Sequence, residues 1–432
     1  MNLIQIREWI ALVYLYIKIL FLEENRMLKN ILIINDFAYI NGGAGKVAIN
    51  SAIGLSRIGY NVTLFTAVGP IDESLKLTNV RVICLWQKDI LSDSNRLRAV
   101  RQGIWNEYAR KEFEKLLIGL NPQETIVHFH AWIKALSPAL FKPIENLKFK
   151  LVITLHDYFL FCPNGGLFNY QNLKICNIKA SSVGCLLCNC DVRSYPQKIW
   201  RYLRQMVQWK FVKSIKNINI IYISKLNREV SYPYLKDISN KWYFVQNPID
   251  INHRAVVDVR NNEKYLFIAR LSSEKGIGLF CKAMRDLHLK GCVLGDGYLK
   301  DRLQKEYPEI EFKGWVSGKE KDELIMQGKA LVFPSLWYEG APLTIVEMKS
   351  YGIPCIVPDK CSASEEIIDG KTGFIFKSGV LTSLEDAIMK YEKVDRNIMQ
   401  KNIIEDFNPG KYMLVNHCRR LLDVYSDILS GC

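Results

Sequence analysis

Apolar residues along this chain fall into two alternating spacings. Short unbroken runs rich in Val, Ile and Leu give way to longer stretches in which apolar positions recur every three or four residues. The runs NILIIND (Asn30 to Asp36), VTLFTAV (Val62 to Val68), VRVICLW (Val80 to Trp86), TIVHFHA (Thr125 to Ala131), KLVITLHD (Lys150 to Asp157), IIYIS (Ile220 to Ser224) and YFVQNPID (Tyr243 to Asp250) read as strands. An unbroken run is what a strand covered on both faces requires. The pattern restarts with YLFIARL (Tyr265 to Leu271), GCVLGDG, IEFKGWV, ALVFPS and IPCIVPD. Between the strands, KVAINSAIGLSRIG predicts a helix stopping at Gly59. LRAVRQGIWNEYARKEFEKLLIGL (Leu97 to Leu120) predicts a second, and KYMLVNHCRRLLDVYSDIL a last one. Two strand–helix series imply an α/β fold with two parallel sheets, each covered by helices on both faces. With Asn247-Pro248 as the hinge, the divisions are 27–246, 247–405 and a terminal helix over 406–432.

The 432 residues are 49% hydrophobic and 24% charged, which suits a globular chain of two or three domains. The net charge of +14 suggests an anionic partner. From Lys142 to Lys241 there are 16 Lys or Arg against five acids, so most of the excess sits in one region. Residues 1–26 contain an apolar stretch, Trp9 to Leu22, interrupted by Lys18. It is shorter than the roughly 20 residues that span a bilayer. It reads as an over-long start, an amphipathic membrane anchor or a helix packed on the body. Twelve cysteines without a cleavable leader fit reduced thiols in the cytosol.

In open α/β sheets, ligands meet the carboxyl ends of strands. The candidate chemistry lies there. NGGAGK (Asn41 to Lys46) follows the first strand but is no nucleotide-triphosphate loop. Ile40 stands where the first glycine belongs, and Val47 where a hydroxyl should bind magnesium. A strand, a glycine turn and a helix still form a nest for an anion; a plain tight turn is the alternative. In FPSLWYEGAPLTIVEMKSYGIPCIVPD, Glu339 precedes a helix opening near Pro342, and Glu347 lies within its first two turns. The free amides of Leu343 and Thr344 favour phosphate at the same end. In ARLSSEKGI, Arg270 offers a planar fork and Lys275 a point charge, both able to converge on one diphosphate. LGDGYLKDRL contributes a turn at Gly297. Gly314 and Trp315 end a strand and can meet a base edge.

Together these motifs resemble the GT-B-fold retaining glycosyltransferases of family 4, the glycosyl transferases group 1. The likeness runs from about Met27 to Phe407 and is most specific in EGAPLTIVEMKSYGIPCIV. The resemblance implies two facing Rossmann-like domains with a deep cleft between them. The first would bind the acceptor, the second the nucleotide-sugar, and the last helix would return to the first domain. It implies that Glu339 contacts the donor sugar and Glu347 grips the ribose. Arg270 and Lys275 would bind the diphosphate, and His156 of the His156-Asp157 pair would lie near the reacting sugar. Gly42, Gly43, Gly297, Gly314, Trp315, Gly340, Leu343 and Thr344 complete the implied nucleotide-sugar site. Gly45 stands where the family often has Glu. The implied reaction retains configuration and needs no metal, because protein cations take up leaving-group charge. The donor would be a UDP- or GDP-sugar. The acceptor would be a glycan or lipid-linked sugar in surface polysaccharide assembly: capsule, O-antigen or exopolysaccharide. The setting would be cytoplasmic, including peripheral attachment to the inner face of the membrane. A catalytically silent scaffold and a phosphorylase on the same fold are the alternatives. No signature supports a nucleic-acid partner.

Three features stand apart. His128 and His130 alternate on one strand as a core- or cleft-facing pair. Cys162, Cys176, Cys185 and Cys188, within an insertion over 162–190, admit either a structural zinc site or a set of reduced thiols. Tyr195 to Asn217 mixes aromatic rings with six cations. It reads as a surface for anionic lipid headgroups or as an ordinary surface helix with an apolar core face.

Overall fold

The computed structural model describes residues 27–216, 218–251 and 255–431, so the amino-terminal extension lies outside the described residues. The first sheet has seven strands: β1 (Asn30–Ile34), β2 (Asn61–Thr66), β3 (Arg81–Cys84), β4 (Thr125–Phe129), β5 (Lys150–Thr154), β6 (Ile218–Tyr222) and β7 (Ser239–Phe244). All pairs are parallel, in the order β3-β2-β1-β4-β5-β6-β7. Because side chains alternate along a strand, β1 feeds two cores. Leu32 and Ile34 join Phe65, Phe113 and Phe141 on one face. Ile31 and Ile33 meet Ala48, Ile49 and Ala52 of helix α1 (Gly43–Ile58) on the other. Gly59 closes α1 in the left-handed conformation with its N–H on Leu55 and Ser56, as its sequence predicts.

The expected single helix over 97–120 is two: α2 (Arg96–Ile104) and α3 (Glu107–Ile118). Buried Asn106 makes the break. Its Oδ1 caps α3 through the Ala109 N–H at 3.1 Å, and its Nδ2 donates to Ala135 O at 2.8 Å. Apolar periodicity continues across the corner, so spacing alone does not register it. The basic helix is α4 (Tyr195–Val212).

The second sheet has six parallel strands: β8 (Lys264–Ile268), β9 (Gly291–Leu294), β10 (Glu311–Gly314), β11 (Gly328–Val332), β12 (Cys355–Pro358) and β13 (Gly373–Phe376), ordered β10-β9-β8-β11-β12-β13. The sequence reading does not anticipate β13. It is four residues long and lies at the edge, and a Cβ on Gly373 would overlap the Cys355 carbonyl. Helix α5 (Leu343–Ser350) follows β11. The last helix, α6 (Leu414–Ser430), leaves the second domain and packs on α1 in the first. Its Cys418, Leu421, Leu422, Tyr425 and Ile428 repeat at helical spacing into the β1–α1 core. The two halves meet where their strands end. The Glu365 carboxylate accepts the Lys225 and Leu226 N–H groups, at 2.9 and 2.8 Å, at the start of the helix Lys225–Leu235. Among the described residues, no helix is long and apolar enough to cross a membrane.

Candidate active site

Glu339 and Lys275 come together from two turns that follow neighbouring strands. Lys275 Nζ lies 2.5 Å from Glu339 Oε1, and Ser335 Oγ donates to the same oxygen at 2.9 Å. Both side chains are largely covered, with 17% and 11% of their surface exposed. Burial by itself pushes the Glu339 carboxyl up. The Lys275 charge and the hydrogen bonds outweigh it and hold the group below its ordinary value. Gly276 makes the approach feasible. It adopts φ of +71°, and a Cβ there would overlap the Pro334 carbonyl.

Beside this pair is a cavity of about 560 Å³ between the halves of the molecule. Arg270, Gly295, Trp315, Thr344 and Glu347 line it, as do Lys46, Asp250 and Lys321. Arg270 is 64% exposed and held by Glu274 at 2.9 Å, so its fork is presented from the wall. Glu347 meets Lys321 Nζ at 2.5 Å. Lys46 reaches in from α1 and pairs with Asp250 at 3.5 Å. Trp315 is 78% exposed, a flat apolar face beside cations and a carboxylate. Such a wall suits a ligand with an anionic group, hydroxyls and a planar ring. Arg270 and Lys275, expected to converge on one diphosphate, are instead held by separate carboxylates, Glu274 and Glu339.

The other candidates are placed as follows. Gly340 sits across the domain junction from His156, where a Cβ would meet Ile223 and lie 3.5 Å from the His156 carbonyl. Gly42 and Gly43 open α1 with no atom within 4 Å of a built Cβ, so their backbone is free for close approach. Gly297 is not in the cavity wall; a Cβ there would overlap the Leu271 carbonyl, so it seats one loop against the loop that carries Arg270. Gly314 turns the chain with φ of +76° just before Trp315. The Leu343 side chain packs with Ile249, Val346 and Tyr412 rather than lining the cavity. The sequence reading misses Lys46 and Lys321. Lys46 is visible in NGGAGK once that loop is not read as a nucleotide-triphosphate motif. Lys321, among the charges of GKEKDELI, carries no distinguishing signal.

His156 Nε2 shares a hydrogen bond with His130 Nδ1 at 2.9 Å. His128 is bound to Tyr425 and Thr154 at 2.6 and 2.7 Å. Burial, with His417 nearby, holds His156 down at about 3, so its imidazole is neutral at ordinary pH. Which nitrogen carries the proton follows from the network and not from the heavy atoms.

Cys162, Cys176, Cys185 and Cys188 are not arranged as a metal-ligand set among the described residues. Cys162 donates to Asn164 at 3.1 Å, Cys185 receives Lys198 Nζ at 3.1 Å, and Cys188 receives Asn169 at 3.6 Å. No three His, Cys, Asp or Glu among the described residues gather to hold a metal. A two-stranded hairpin (Phe168–Asn169 with Lys174–Ile175) and the short helix Val183–Leu187 order the insertion, and its thiols take Asn164, Lys198 and Asn169 as hydrogen-bond partners. Helix α4 also departs from a plain basic surface. It turns Lys198, Arg204, Gln205 and Gln208 inward.

Residues 249–406 match the family described as glycosyl transferases group 1. An uncharacterized 41.2 kDa protein of the Klebsiella pneumoniae cps region is 23% identical over 319 residues, which are 68% of this chain and 84% of that one. A UDP-Gal:alpha-D-GlcNAc-diphosphoundecaprenol alpha-1,3-galactosyltransferase of Escherichia coli is 27% identical over 207 residues, 42% of this chain and 50% of that one. The Anabaena Alr3699/HepE structure with UDP and glucose superposes with a TM-score of 0.61 at 15% identity, covering 92% of this chain and 100% of that one. At that identity the likeness is one of fold: two facing Rossmann-like domains, the GT-B arrangement.

Proposed function

We propose that this chain, whose residues 249–406 match the glycosyl transferases group 1, is a glycosyltransferase that moves a sugar from a UDP- or GDP-sugar to a glycan or lipid-linked acceptor. Configuration is retained, and no metal takes part. The observation that carries the reading is the cavity in which Arg270, Trp315, Thr344 and Glu347 face Lys46 of the opposite domain. The nucleotide base lies by Trp315. Glu347 leaves Lys321 and takes the ribose hydroxyls, and the diphosphate lies toward Arg270 and Lys275. These cations and the α5 amino terminus stabilise charge as it builds on the departing phosphate. Glu339, kept ionised by Lys275, orients the donor sugar. Neutral His156, across the junction by Gly340, accepts or donates a hydrogen bond at the reacting sugar. The acceptor hydroxyl attacks from the leaving-group side, and its proton passes to the departing phosphate oxygen. The setting is surface polysaccharide assembly, as the cps-region position of the Klebsiella pneumoniae relative and the diphosphoundecaprenol-linked substrate named for the Escherichia coli one suggest, at the cytoplasmic face of the membrane.

A thermal-shift series with UDP-, GDP- and ADP-sugars tests the donor site. One base should raise the wild-type melting temperature by mass action, and Glu347→Ala should abolish the rise without unfolding the protein. The anomeric proton coupling of the product, followed by NMR from first turnover, decides between retention and inversion. No shift with any nucleotide at millimolar concentration would sink the transferase reading.

A further inference from the structure

A second cavity, of about 410 Å³, opens on the first domain and is lined by cationic and apolar side chains. Five cations line it, Arg96, Lys134, Arg193, Arg201 and Arg204, against one acid, Asp89. Its inner end adjoins the centre described above. Lining residue Phe159 donates its N–H to Asp157 Oδ1 at 3.0 Å, one residue from His156. Arg204 is the unusual member. It is only 3% exposed, yet among the described residues no carboxylate lies within ion-pair reach of it. Its hydrogen bonds go to the carbonyls of Ile133 and Pro163 at 3.4 Å, and its plane lies over Trp200 and Phe159. Arg201, beside it, is already engaged by Asp191 at 3.1 Å. A buried charge with no carboxylate in direct contact is costly, and an anionic ligand would offset that cost. Burial and the Arg201 charge draw the Arg204 guanidinium down to about 9, against the opposing pull of Asp36, Asp157 and Asp191. Exposed apolar side chains also line the cavity. Leu91 and Val100 line it, and Leu97, 85% exposed, stands one turn before Val100 on α2.

We propose that this cavity anchors the acceptor, taking the phosphate or diphosphate of a polyprenyl-linked sugar on Arg204, Arg193 and Lys134. The hydrocarbon chain leaves over Leu91, Leu97 and Val100. The inference rests on the transferase reading, because it makes the acceptor an amphiphile whose sugar reaches His156 and Asp157 from this side. Three of the five lining cations, Arg193, Arg201 and Arg204, come from the basic region 142–241. A soluble phosphorylated sugar would share the headgroup chemistry but would have no use for the apolar side chains.

The test is calorimetric titration of the full chain with farnesyl diphosphate, inorganic diphosphate and farnesol, each with and without saturating UDP. Farnesyl diphosphate should bind one per chain, unaffected by UDP, and at least about tenfold more tightly than either partial probe. Arg204→Gln should weaken it about tenfold or more. Arg193→Gln and Lys134→Gln, both at exposed positions, should each do so several-fold and guard against misfolding of the buried variant. Retained nucleotide binding reports that each variant is folded. Displacement of farnesyl diphosphate by UDP, or indifference to all three substitutions, overturns the proposal. Equal affinity for inorganic diphosphate overturns its lipid part in favour of a soluble phosphate ligand. If farnesyl diphosphate binds as expected but no nucleotide binds, the transferase reading fails while the amphiphile site stands.

Discussion

At the residue scale, the Lys275–Glu339 pair shows how a site is held ready before its substrate arrives. Both groups are mostly covered, so removing one leaves the other charged without compensation. Lys275→Met should cost about 3 kcal/mol in a urea titration, and adding Glu339→Gln should recover part of that loss. A single variant as stable as wild type would show that the pair is not buried as described. The histidines make a pH prediction. Burial holds His417 at about 4, and His128 and His130 well below 6.5. In the unfolded chain each takes a proton near 6.5; in the folded chain each resists until much lower pH. The unfolded state therefore binds more protons across that window, and stability falls as pH drops below about 6.5. Each buried histidine contributes up to about 1.4 kcal/mol per pH unit. Urea midpoints at pH 7.0 and 5.5 check this, and His417→Gln should show the smaller drop; equal midpoints for wild type would refute it.

At the element scale, α6 is as much a part of the first domain as α1. Gly54 of α1 marks the contact, since a Cβ there would overlap Cys418 Sγ. Gly54→Val should therefore wedge the two helices apart and cost about 1–3 kcal/mol. Combination with Cys418→Ala should restore more stability than additivity allows. Additive losses in the double-mutant cycle would place the strain elsewhere. Elements also show where pattern reading succeeds and fails. The inner parallel strands of both sheets are legible because burial on both faces forces apolar runs; edge strand β7 (Ser239–Phe244) only overlaps its expected run at Tyr243 and Phe244, and β13 escapes because four edge residues make too short a run. The corner between α2 and α3 escapes for another reason. It depends on where Asn106 finds its partners, Ala109 along the chain and Ala135 across it, and a periodic pattern does not record that.

At the scale of the whole molecule, the cleft depends on how the halves dock, and Glu365 is a discrete part of that contact. Glu365→Ala should leave the first two amides of the Lys225–Leu235 helix without their carboxylate, Ser224 still capping Asn227, at a cost of about 1 kcal/mol. It should also speed amide hydrogen exchange at Lys225 and Leu226, leaving exchange in β1 and β8 unchanged. Unchanged exchange at those two amides would argue that the docking rests on other contacts. The chain's own order of residues determines a good deal here: two parallel α/β sheets, the helix ends that offer free amides, and the residues Glu339, Glu347, Arg270 and Lys275 placed after strands. Those features are local, because propensity, periodicity and caps act over a few neighbouring residues. Tertiary structure alone decides which charges meet. It brings Lys275 to Glu339 and Lys321 to Glu347, turns Lys46 into the cavity between domains, sets Lys198 against Cys185, and buries Arg204 with no carboxylate in direct contact. Such pairings join residues tens to hundreds of positions apart, and burial, which sets the worth of a charge, exists only once the chain has packed.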